Sequence, residues 1–71
     1  MEINFTVKQA RKYAGLTQSQ ISQLMGIDRS TYIKLEKNPE LMTISQAQRL
    51  SDITGIPYDN IFFIKDSTLS R

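Results

Sequence analysis

The chain contains no cysteine and no histidine. The first absence excludes disulfides, iron–sulfur clusters and thiolate zinc sites. The second removes the commonest metal ligand and the usual acid–base group at neutral pH. Catalysis would then need converging carboxylates or lysines, or a glycine-rich phosphate cradle, and the sequence displays neither; an enzyme is the least favoured class and no cofactor is expected. The opening residues, Met1 to Thr6, lack the basic start and apolar core of a secretion signal. The longest apolar run, Ile61 to Ile64, is far too short to cross a bilayer. No membrane partner is expected, and the cytoplasm is the simplest location. With 71 residues the chain reads as a single domain over residues 1–64, near the lower size limit for folding on one apolar core, followed by a frayed polar tail over residues 65–71.

What charge there is lies unevenly. Residues 6–37 carry Lys8, Arg11, Lys12, Arg29, Lys34 and Lys37 against Asp28 and Glu36, a local balance of +4. Residues 38–71 carry Arg49, Lys65 and Arg71 against Glu40, Asp52, Asp59 and Asp66, a balance of −1, and Glu2 brings the total to +2. The positive half favours a polyanion as partner.

That half also holds the stretch that organises the chain, Thr17 to Lys37. Thr17 and Gln20 have the spacing of a capping box, and Leu16 and Ile21 that of a hydrophobic staple, so a helix starts at about Gln18. Gly26 suits the left-handed conformation that ends a helix, and Asp28 is a strong N-cap for a second. At about 100° per residue, Thr31, Leu35, Tyr32 and Glu36 share one arc of that second helix. Arg29, Ser30, Ile33, Lys34 and Lys37 fill the other. The outer arc is basic and hydroxyl-bearing, with Arg29 and Ser30 in the first turn, where a helix entering a DNA major groove carries its base-reading side chains.

Around this pair the pattern predicts an all-α fold of five short helices, helices 2 and 3 forming a helix-turn-helix. Thr6 and Gln9 make a capping box that starts helix 1, about Val7 to Ala14, with Val7, Ala10, Tyr13 and Ala14 inward and Arg11 at the edge of the buried arc. Pro39 makes residues 38–42 a loop. Thr43 and Gln46 open helix 4, which runs to about Thr54 with Ile44, Ala47, Leu50 and either Ile53 or Thr54 inward; Gly55 closes it. A last helical turn is expected at roughly Tyr58 to Phe62.

From Val7 to Phe62 the chain resembles the five-helix, lambda-repressor-like DNA-binding domain of the phage Cro and repressor family. The matching residues are Gly15-Leu16-Thr17-Gln18, Gly26-Ile27, Arg29-Ser30-Thr31-Tyr32, Leu35-Glu36 and Gly55-Ile56-Pro57. The finer wording, Phe5 to Arg11, Lys37-Asn38-Pro39 and Asp59 to Phe63, is similar to small prophage regulators of Gram-positive bacteria. The resemblance implies base contacts from Arg29, Ser30 and Lys34, and phosphate contacts from Thr17, Gln18 and Lys37. Arginine suits such a role, since it bonds guanine in bidentate fashion, worth about 1–3 kcal/mol of discrimination. Gln18 is either such a contact, with a bracing bond to Arg29, or a plain polar first-turn residue. The resemblance also implies a structural ion pair between Arg11 and Glu36, against the alternative of two solvated charges.

The sequence departs from the family pattern after the recognition helix. Basic residues and a glycine often clamp phosphate there, whereas this chain has Asn38-Pro39-Glu40-Leu41-Met42. Asp28 is a poor neighbour for phosphate, and Ile33 fits either a thymine methyl or a protein contact. Leu41, Met42, Phe63 and Ile64 join Ile33 as candidate protein-interface residues, because exposed apolar strips mark interaction surfaces; alternatively the run 61–64 simply finishes the core. In the family this end often makes a homodimer contact, which would set two recognition helices about 34 Å apart on a palindromic site.

Two readings follow. The leading one is a sequence-specific regulator that occupies double-stranded operator DNA without a catalytic step. The alternative keeps the same fold but acts by docking on a phage repressor protein.

Overall fold

In the computed structural model, residues 4–63 are described. Four α-helices account for most of them: α1 (Val7–Tyr13), α2 (Gln18–Met25), α3 (Arg29–Lys37) and α4 (Ile44–Thr54). Each start follows from its local sequence. Thr6, Thr17 and Thr43 sit in extended conformation before α1, α2 and α4, and each accepts a hydrogen bond from the backbone N–H three residues on. Gln9, Gln20 and Gln46 return the bond to the threonine N–H at 2.9, 2.8 and 3.0 Å. Gly26 and Gly55 then close α2 and α4 at φ 73° and 76°, a backbone region that side chains with a Cβ rarely occupy.

Asp28 behaves differently. It holds the N-cap position of α3 in extended conformation but makes no side-chain cap bond. Entry into α3 is secured instead by the backbone, through Ile27 N–H to Ser22 C=O and Tyr32 N–H to Asp28 C=O at 3.0 and 2.9 Å.

The expected five-helix, all-α architecture needs correction at its margins. Pro39–Leu41 is a single 3₁₀ turn rather than an open loop, with proline at the first helical position, where its missing donor costs nothing. The last segment is a 3₁₀ turn at Tyr58–Asn60, after which Ile61–Phe62 is extended as β2. It pairs in parallel with Phe5–Thr6, which form β1, in the register Phe5 to Ile61 and Thr6 to Phe62. β-Branched and aromatic residues favour such a half-buried strand, and the pairing gives both chain segments backbone partners that a frayed helical turn would lack.

Val7, Ala10, Ile21, Tyr32, Leu50, Ile56 and Ile61 form the core, with Phe5, Leu16, Met25, Ile27, Met42, Ile53 and Phe63 packed around it. Every helix contributes. Fully burying side chains such as Ile21 and Leu50 contributes roughly 1.5–3 kcal/mol each. Three side chains expected inside are not. Tyr13 is 68% exposed and Ile44 71%, and Thr31 is exposed as well. Tyr13 ends α1 and lays its ring on Phe5, 5.3 Å between centroids. Ile44 starts α4, whose buried line runs instead through Ala47, Leu50 and Thr54. Residues 53 and 54 both turn inward: Ile53 is partly buried against the core, and the buried Thr54 hydroxyl donates to Leu50 C=O at 2.9 Å and accepts from Ile56 N–H at 3.3 Å.

Candidate nucleic-acid interface

Three residues, Gly26 to Asp28, separate α2 from α3, and the two helices pack against each other. The inward side of α3 is anchored by Tyr32, which is wholly buried, and by Leu35. Its opposite side presents Arg29, Ser30, Lys34 and Lys37, all exposed, while Ile33 is half-buried. Among the described residues, none of those three basic side chains forms an ion pair or hydrogen bond. The exposed arc is therefore a row of uncommitted donors on a helix that cannot rotate without unburying Tyr32.

A polar knot holds α3 in that orientation. Arg11 Nε donates to Glu36 Oε2 at 2.8 Å and Arg11 Nη2 to Glu36 Oε1 at 3.4 Å. The remaining arm, Nη1, donates to Leu16 C=O at 2.9 Å, in the turn between α1 and α2. Tyr32 Oη donates to Glu36 Oε2 at 2.7 Å, and Gln18 Nε2 donates to Glu36 Oε1 at 2.9 Å. The Arg11 and Glu36 side chains retain only 10% and 6% of their exposure, yet among the described residues no buried side-chain nitrogen or oxygen lacks a partner. One carboxylate thus ties α1, the start of α2 and the end of α3 together.

The charges in the knot respond to this setting. Burial works to raise the Glu36 carboxyl, but the hydrogen bonds from Arg11, Tyr32 and Gln18 outweigh it and hold the group below its ordinary value. The bond to Glu36 raises the Arg11 guanidinium against the opposing effect of burial. Burial, reinforced by the bond to Glu36, pushes the Tyr32 hydroxyl far above the usual phenol range, so it stays protonated and keeps its proton for Glu36.

The other sequence-selected residues are distributed as follows. Thr17 spends its side-chain oxygen on the cap of α2, where Gln20 N–H reaches it at 3.0 Å. Gln18 turns to Glu36 rather than to Arg29, which corrects the expected bracing contact. Of the candidate protein-contact residues, Leu41 is 56% exposed. Met42 and Phe63, by contrast, are partly buried against the core, and Phe63 also meets the ring of Tyr58 at 5.2 Å; of the described residues of the run, Ile61 and Phe63 thus pack on the interior. Ile64 and the tail over residues 65–71 lie outside the described residues.

Tyr32 and Gln18 are members of the knot that sequence reading missed. Tyr32 and Glu36 are four apart on one helix, a spacing at which side chains meet, so that bond was available from the sequence. Gln18 carried no comparable signal, because its partner is 18 residues away. Among the described residues no helix is long and apolar enough to cross a membrane, and no three histidine, cysteine, aspartate or glutamate side chains cluster as metal ligands would.

A helix-turn-helix family model matches residues 7–61, well over half of the chain. No curated protein and no solved structure matches it.

Proposed function

Because the chain belongs to the Cro/repressor-type helix-turn-helix family of DNA-binding regulators, we propose that it is a phage Cro- or repressor-like transcriptional regulator that occupies operator DNA from the cytoplasm, without a catalytic step. In this reading α2 and α3 are the helix-turn-helix and α3 lies in the major groove. Arg29, Ser30 and Lys34 read base edges, while Thr17, Gln18 and Lys37 contact phosphate. The observation that carries the reading is the division of α3 into a buried side, Tyr32 and Leu35, and an exposed side with uncommitted basic donors.

Duplexes selected from a random pool, compared with scrambled ones by gel shift, test it. A preference for the selected sequence that weakens in Arg29→Ala and Lys34→Ala supports the reading; equal affinity for both duplexes refutes it. Affinity should also fall steeply with salt, as release of counterions from phosphate requires.

A second reading has one observation in its favour. Leu41 and Ile44 are 56% and 71% exposed within three residues of each other, close behind the end of α3. Such a patch suits a protein partner, either a phage repressor on which this chain docks or a second copy of itself. Co-purification with a neighbouring repressor, together with negligible DNA affinity for this chain alone, would select it.

A further inference from the structure

Glu36 does more than pair with Arg11. Its Oε1 accepts the Gln18 carboxamide N–H at 2.9 Å, and Gln18 is the first residue of α2, half-buried. A carboxylate only accepts hydrogen bonds, so it captures the nitrogen end of the amide. That leaves the second Nε2 proton to point elsewhere. In a free glutamine the amide presents its oxygen or its nitrogen to any ligand, and a phosphate oxygen is repelled by the first and bonded by the second.

Resting on the DNA-binding reading above, we propose that Glu36 is a positioning residue for the phosphate contact: it presets the Gln18 carboxamide so that its remaining N–H is offered to the DNA backbone. Arg11 is required for this to work. A bare carboxylate so close to the contact would repel phosphate, and the two Arg11 bonds at 2.8 and 3.4 Å offset that charge. The chain of bonds from Arg11 through Glu36 to Gln18 also links the orientation of α3, through Tyr32, to the contact made at the start of α2. Docking of the reading helix and of the phosphate donor is thereby one event, with the amide's orientation settled before DNA arrives.

The experiment is a double-mutant cycle. Affinity for a mixed-sequence duplex of roughly two helical turns is measured at low salt for the unmodified chain, Gln18→Ala, Glu36→Gln and the double variant. Gln18→Ala should weaken binding about tenfold, the worth of one charge-assisted hydrogen bond. Glu36→Gln should weaken it by a similar factor when Gln18 is present and by little in the Gln18→Ala background. Equal losses in both backgrounds would mean that Glu36 acts only through the fold, and would overturn the proposal while leaving DNA binding intact. No binding by the unmodified chain would overturn the DNA reading itself, and this inference with it. Nuclear magnetic resonance of the unmodified protein supplies a check independent of any variant's folding: one Gln18 Nε2 proton should be shifted and slow to exchange, whereas a Gln18 amide indistinguishable from that of exposed Gln23 would also overturn the proposal.

Discussion

Arg11 and Arg29 are the same residue type 18 positions apart in the sequence, and the structure gives them opposite surroundings. Arg11 is 8% exposed and spends its donors on Glu36 and Leu16. Arg29 is exposed, and among the described residues its side chain has no partner. The difference teaches that a guanidinium's role follows from whether its donors are already used. A buried, paired arginine sets where a helix lies; an open one on the far side of that helix is available to a ligand. The comparison can be broken at either end.

The largest effect is expected at the buried end. Arg11→Ala leaves the Glu36 carboxylate unpaired beneath the surface, which costs about 3–5 kcal/mol, a large part of the total stability of a small domain. Urea unfolding should show the midpoint falling sharply, or the native baseline lost altogether. Arg29→Ala should move the same midpoint by no more than about 0.5 kcal/mol equivalent. Similar losses for the two variants would erase the distinction.

Acid and alkali probe the same knot without mutation. Glu36 is held below its ordinary value of 4.5, so its contribution is complete above that pH and is lost as the pH falls through the lowered value. Tyr32 is raised above its ordinary value of 10.0; its contribution is complete below pH 10 and is lost as the pH rises, because the unfolded chain then ionises while the folded one does not. Thermal unfolding followed across pH should therefore fall off on both sides, and Glu36→Gln should flatten the acid limb selectively. An acid limb unchanged by that variant would place the titrating group elsewhere.

At the open end the expected effect is on recognition. Arg29→Ala should remove about 1–3 kcal/mol of discrimination between the selected and a base-substituted duplex, read as a fall in the affinity ratio. Lys37→Ala, at the end of α3, should weaken both duplexes alike and reduce the salt slope by about one.

The smallest effects sharpen the contrast between the two helix starts. Thr17→Ala removes a reciprocal cap and should cost about 1 kcal/mol. Asp28→Ala removes a side chain that makes no cap bond and should change stability by less than about 0.5 kcal/mol. Equal losses would show that Asp28 caps α3 in solution.

Much of the helical frame was legible because its signals are local. Threonine followed three residues later by glutamine marked the starts of α1, α2 and α4, and Gly26 and Gly55 marked two ends. Apolar spacing found Val7, Ala10, Tyr32, Leu35, Ala47 and Leu50. What escaped was set by contacts across the chain. The extended pairing of Ile61–Phe62 with Phe5–Thr6 joins segments more than fifty residues apart, and the run Ile61 to Ile64 gives no local sign of which partner it will find. Tyr13 and Ile44 are the last and first residues of their helices, where the arc of a helical wheel no longer predicts burial, and both remain mostly exposed. For the candidate site, the outward set Arg29, Ser30 and Lys34 follows from periodicity once Tyr32 and Leu35 are placed inside. The turn of Gln18 toward Glu36 needed the tertiary fold.

The central claim is that α3 reads DNA with the side opposite Tyr32 and Leu35. Its most direct test is the binding of the Arg29→Ala, Lys34→Ala double variant to a selected operator and to a scrambled duplex, after its unfolding curve has been shown to match that of the unmodified chain. The account predicts that the double variant loses its preference and binds both duplexes with the same weak, salt-sensitive affinity. A double variant that still prefers the selected operator by the original factor would contradict it.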